Sequence, residues 1–129
     1  MDALIGQIYR AAGHERLWNG VVEQVRRRFS SGACECVLYQ GAEAVSGFTT
    51  AVTRDIVDCY IDDRHWETNE RVGRYLSGSP LTGFVTADSY YTPEMLATDA
   101  CARLLASRGL HQQVLTMLHL GGDRMAAFT

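Results

Sequence analysis

The sequence predicts an α+β domain, a five-stranded and mostly antiparallel sheet flanked by helices. Three observations predict it. Apolar residues recur in adjacent pairs at helical spacing in several segments. Short alternating runs sit on either side of glycine-containing turns, as hairpin strands do. No strand candidate is followed by the glycine-rich phosphate loop that a βαβ nucleotide fold would carry.

The first helix is marked by Leu4, Ile5, Ile8, Tyr9 and Ala12, one apolar stripe closed by Gly13 at the usual stop position. A second helix repeats the spacing with Leu17, Trp18, Val21, Val22, Val25 and Phe29. Arg26, Arg27 and Arg28 gather at its C-terminal end, where positive charge suits the helix dipole. The run 34–39 and the run 45–50, separated by Gly41, read as a β-hairpin. Thr53 is placed to cap a third helix whose stripe is Ile56, Val57, Tyr60 and Ile61. After the polar segment 62–71, Val72, Tyr75 and Leu76 suggest a short helix ending before the loop Ser77-Gly78-Ser79-Pro80.

A short strand over 84–86 leads through Asp88 to Thr92-Pro93-Glu94, a capping threonine followed by a proline at the first helical position. The helix that starts there continues through Cys101, Leu104 and Leu105 to the basic end and glycine stop at Arg108-Gly109. Residues 113–120, the turn Gly121-Gly122-Asp123 and residues 124–129 form a second hairpin. The chain stops within this last strand, and the expectation is a fragment of a longer protein.

At 129 residues the chain is one domain, large enough to bury a core without staples. With 47% hydrophobic and 21% charged residues it is globular rather than disordered. A net charge of −3 gives no field that would hold this segment on DNA phosphates. All twelve basic residues are arginine, a genomic bias rather than a site. No apolar run approaches a membrane span of about 20 residues and no signal peptide opens the chain, so a cytoplasmic protein without membrane association is expected. Cys34, Cys36, Cys59 and Cys101 sit in apolar stretches and are expected as reduced thiols. The C-x-C pair Cys34/Cys36 would face one side of a strand, which leaves a metal or redox role conceivable.

The string 4–12, Leu-Ile-Gly-Gln-Ile-Tyr-Arg-Ala-Ala, followed by Trp18, resembles the opening of LuxR-type helix-turn-helix regulators. Tyr60, the run 83–88 (Gly-Phe-Val-Thr-Ala-Asp) and Arg108-Gly109-Leu110 continue the resemblance in order, so that it covers roughly residues 4–129. It implies a PAS/GAF-like sensor domain that precedes a DNA-binding domain beyond residue 129, so that DNA is a partner only through that missing segment. In autoinducer-binding relatives a tyrosine, a tryptophan and an aspartate followed by proline line the cavity for an acyl-homoserine lactone. Tyr60 falls on the tyrosine position, Asn69-Glu70 near the aspartate-proline position, and Gly83 near the later tryptophan. A neutral amide lacks the charge that strengthens a bond to the ligand amide. These departures point to a different small apolar molecule or to no ligand.

The chain carries no nucleophile elbow, no H-E-x-x-H and no paired-carboxylate signature, so neither catalytic residues nor enzyme activity are expected. Candidates for lining a ligand pocket are Tyr60, Trp66, Asn69, Tyr75, Phe84, Met117 and His119; the alternative is a filled core. No cofactor and no metal are assigned, although His119 could serve a haem sensor or the C-x-C pair a metal sensor. Tyr90-Tyr91 is placed in an exposed loop. The stripes of the first two helices exceed what a small sheet covers, and a homodimer is expected through Leu4, Ile8, Leu17, Trp18, Val21 and Val25. The expected function is a ligand-sensing or dimerising regulatory domain; the alternative is a ligand-free structural or partner-binding module.

Overall fold

A computed structural model describes residues 2–69, 83–89 and 91–129. The expected helix around Tyr75 and the loop at Ser77 lie outside them. The elements run α1 (Asp2–Ala11), α2 (Trp18–Phe29), β1 (Glu35–Gln40), β2 (Glu43–Thr49), α3 (Arg54–Asp62), β3 (Val85–Thr86), α4 (Pro93–Thr98), α5 (Ala100–Ser107), β4 (Val114–Gly121) and β5 (Arg124–Phe128). Single 3₁₀ turns precede α2 and α3, follow α3 at His65–Thr68, and follow β3.

The strands form one five-stranded antiparallel sheet in the order β2-β1-β5-β4-β3, the PAS/GAF-like α+β arrangement. Both hairpins fall where glycine turns were read. In the β4–β5 turn Gly121 and Gly122 have φ of 100° and 60°, a left-handed path that side chains resist.

Alternation along the strands sends side chains to two cores. Cys34, Cys36, Phe48 and Ala126 meet Val22 of α2, with Trp18 stacked on Phe48 at 6.1 Å between ring centroids. On the opposite face Val37, Tyr39 and Met125 meet Ile56, Val57 and Tyr60 of α3 and Cys101 and Leu105 of α5. The sheet is thus covered by α2 on one side and by α3 and α5 on the other. Cys34 and Cys36 share a face as their spacing predicts, and both are free thiols. Burial pushes Cys34 up to about 11 and Cys36 up to about 12.

Gly47 makes the close approach of α3 possible. It opposes Val37 on β1 and faces α3, and a Cβ built on it would lie 2.5 Å from Val57 Cγ1. A side chain there would hold the helix away from the sheet.

Three local readings are corrected. Thr53 stands at the N-cap of α3 but makes no capping bond; its hydroxyl, fully buried, pairs at 2.6 Å with that of Thr49 at the end of β2. The helix read from Thr92 onward is two helices. Thr92 caps the first by accepting from Met95 N, as expected, and Asp99, in extended conformation, caps the second by accepting from Ala102 N. Tyr91 is buried rather than exposed, its backbone N–H donating to the Ala87 carbonyl.

A buttress of charge joins the helices beside the second core. Arg108, just past α5, donates to the Val52 carbonyl and to Asp55 Oδ1, each at 2.7 Å. The arginine run ending α2 is likewise engaged, with Arg26 and Arg27 both donating to Glu23.

Candidate functional site

The site lies between the sheet and α3. The stripe that makes α3 amphipathic puts Tyr60 one turn beyond Val57 on the buried face. β1 presents Tyr39 toward the same space, since it alternates with Leu38, which packs on the α2 side. The two hydroxyls meet at 2.8 Å, and Asn69 Nδ2 donates to Tyr60 Oη at 2.8 Å. Tyr39, Tyr60 and Asn69 are thus linked in a chain by hydrogen bonds between the sheet and α3.

This chain borders two chambers. The inner one, about 60 Å³, is walled by the apolar Val37, Ile56, Leu105, Leu115, Met117 and Ala127 and by the polar Glu35, Gln113 and Thr129, around Tyr39, Tyr60 and Asn69. That is room for a few waters rather than for a metabolite. The outer one, about 230 Å³, is lined by His65, Thr68, Tyr91, Met95, Thr98 and Asp99, and it shares Tyr60, Asn69 and Cys101 with the inner chamber. A third hollow, a mostly apolar groove of about 530 Å³, lies between the end of α2 and the adjoining ends of β1, β4 and β5, and it shares Glu35, Leu105, Gln113 and Thr129 with the inner chamber.

The pocket candidates are therefore divided. Tyr60, Asn69 and Met117 come together at the inner chamber. Trp66 packs against the same core without lining either chamber, and the Arg64 guanidinium stands 5.1 Å above its ring. Phe84 is mostly exposed and lines the groove with Phe29, Val114 and Phe128, not either chamber. Its displacement follows from parity: Val85 pairs with Leu115, which faces the inner chamber, so the preceding residue projects to the other face. His119 is exposed near the end of β4, opposite Met125 and next to a bulge, and lines neither chamber. Tyr75 lies outside the described residues. Tyr39 was not singled out from the sequence, although its position two residues past Val37 put it on the core face.

The dimer candidates divide in the same way. Val21 is fully buried in its own chain, Trp18 stacks on Phe48, and Val25 packs on the core beneath α2. Leu4 is half-buried. Ile8 and Leu17 remain exposed, together with Ile5 and with Tyr9, which is 77% exposed.

No helix among the described residues is long and apolar enough to cross a membrane. Comparison of the chain with protein-family models, with curated proteins and with solved structures finds no match.

Proposed function

We propose that this is a small-molecule-responsive regulatory domain, working in the cytoplasm as the sensor part of a LuxR-type helix-turn-helix regulator, with DNA contacted only by the attached helix-turn-helix. The observation that supports the reading is the Tyr39–Tyr60–Asn69 hydrogen-bond chain in the wall of a chamber whose lining is mostly apolar but also includes Glu35, Gln113 and Thr129. Converging polar groups in an apolar enclosure orient a ligand that has one polar end. Because Tyr60, Asn69 and Cys101 border both chambers, displacement of Asn69 from the Tyr60 hydroxyl joins them into one cavity. The ligand is then a compact, mostly apolar molecule with one hydrogen-bonding group, and its binding shifts the population of an opened state rather than driving a reaction.

Native mass spectrometry of the purified protein, compared with the mass after denaturation, tests this. A retained small molecule that is lost in Tyr60→Ala is the expected result. A native mass equal to the chain mass, with no thermal shift across a panel of small amphipathic compounds, counts against it.

A second reading, pairing of two copies, rests on the exposed α1 residues Ile5, Ile8 and Tyr9. Such a stripe is costly in water and is removed by a partner. Sedimentation equilibrium should give a dimer that Ile8→Asp dissociates; a monomer at every concentration would eliminate this reading.

A further inference from the structure

We propose that Cys59, Asp63 and His65 form a binding site for a divalent transition-metal ion of the zinc class, these three being the ligands that the described residues supply. The three residues come from consecutive turns of chain. Cys59 and Asp63 stand one helical turn apart at the end of α3, on one face. His65 would ordinarily continue away from the helix, but Arg64 takes a left-handed conformation, φ 56°, and folds the imidazole back. The Arg64 side chain does not fill the space it creates: its guanidinium is engaged by Glu67 and lies over Trp66.

The ligand atoms are already gathered. Cys59 Sγ is 2.9 Å from Asp63 Oδ2 and 3.6 Å from His65 Nε2, and the latter two atoms are 4.0 Å apart. Zinc–sulfur bonds of about 2.3 Å and zinc–nitrogen bonds of about 2.0–2.1 Å at a tetrahedral angle place sulfur and nitrogen about 3.6 Å apart. That pair needs no adjustment. The carboxylate must move by several tenths of an ångström, away from sulfur and toward nitrogen, which an exposed Asp63 side chain can do.

Thiolate, imidazole and carboxylate together suit zinc, cobalt or nickel better than calcium or magnesium, which prefer oxygen throughout. Cys59 binds as the thiolate, its proton passing to solvent, and His65 binds as the neutral imidazole through Nε2. The electrostatics favour a cation. The carboxylates of Asp62 and Asp55 add to that of Asp63 in the field at the sulfur. His65 is about one-third exposed and also lines the outer chamber, so an ion has a route in.

The site does not depend on the cavity reading, but it bears on it. A metal here ties the end of α3 to the 3₁₀ turn, which contains Trp66 and is followed directly by Asn69. The ion would hold Asn69 near the Tyr60 hydroxyl and favour the closed chambers.

The test is a titration of the reduced, tag-free protein with cobalt(II), followed by absorbance. One cobalt per chain is expected, with a thiolate-to-cobalt charge-transfer band in the near ultraviolet that one equivalent of zinc abolishes. Cys59→Ser removes the band, and His65→Ala weakens binding by about 100-fold or more, since losing even a group that only hydrogen-bonds to a metal ligand costs about 10–100-fold. Cys59→His keeps stoichiometric binding without the band, which separates loss of the ligand from loss of the fold. Absence of the band in the folded wild-type protein, or its survival in Cys59→Ser, overturns the proposal. Neither result touches the cavity, whose own test is the retained mass.

Discussion

Replacing Gly47 by alanine tests the seat of α3 on the sheet. The new Cβ would stand 2.5 Å from Val57 Cγ1 and 3.4 Å from Ile61 Cδ1. Carbon atoms rest at about 3.5–4.0 Å, so the first contact is about 1 Å too short. Val57 cannot yield cheaply, because a β-branched residue in a helix has one strongly preferred rotamer. The helix must shift instead, and it carries Tyr60 with it. Overpacking of this kind costs about 1–3 kcal/mol. The stiffer unfolded chain returns about 0.4–1 kcal/mol, leaving a net loss of roughly 1.5 kcal/mol. An unfolding entropy of about 2.1 cal/mol/K per residue makes that a fall in Tm of roughly 6 °C for this chain. Differential scanning calorimetry reads the shift. The double variant with Val57→Ala provides the control: by making room for the new methyl it should cost less than the two single changes together, with a coupling of about 0.5–3 kcal/mol. An unchanged or raised Tm in Gly47→Ala, or strict additivity in the double variant, would refute the packing of α3 against β2.

Three further outcomes follow from particular contacts. Tyr60→Phe removes the hydroxyl that joins Tyr39 to Asn69 and should lower stability by about 1–3 kcal/mol in urea titration; an unchanged urea midpoint would contradict a structural place for that hydroxyl. Cys34 and Cys36 should resist alkylation at pH 8 until the protein unfolds. Because burial raises both thiols from 9.0 to about 11 and about 12, the stability they contribute is intact below pH 9 and lost as pH rises from 9 toward 12, so a urea midpoint unchanged across that window is the contrary result. Finally, the Arg108 guanidinium beside Asp55 holds its carboxyl down to about 2, against 3.8 ordinarily. The ion-pair stabilisation is present above about pH 4 and is lost as pH falls toward 2, so the deficit of Arg108→Ala relative to the parent should be largest at pH 7 and should shrink toward pH 2, where the bond to the Val52 carbonyl remains, and salt should narrow it at pH 7. A gap of the same size at pH 7 and pH 2 would assign the loss to the Val52 bond and packing instead.

Much of the fold is legible because its signals are local. The helix stripes and the glycine-marked hairpins depend on residues close in sequence, and the first three helices and both hairpins fall where their patterns place them. The break at Asp99 had a local signal as well, an aspartate three residues before Ala102, but Thr92-Pro93 had already explained a helix start and the run to Leu105 fitted one helix. Thr53 misled for the opposite reason: a capping residue type stands at the capping position, yet its hydroxyl is drawn to Thr49, a partner supplied by the strand. Site residues were harder because facing depends on register. Phe84 precedes a strand of two residues, and a single step there decides between chamber and groove. The gathering of His65 with Cys59 rests on a left-handed arginine, a conformation that nothing in the sequence signals.

Strand β5 lies in the middle of the sheet although it is the last of the strands to be made, and its neighbours β1 and β4 both bond to it. The backbones of Glu35 and Thr129 bond to each other in both directions, which carries the pairing beyond the strand ends. A nascent chain interrupted before residue 124 holds two separate strand pairs, β1 with β2 and β3 with β4, and neither has a sheet to complete. Such pairs are marginal alone. Assembly on the ribosome must therefore wait until nearly the whole of this domain has emerged from the exit tunnel, and until then the edges of both fragments are exposed to whatever will pair with them.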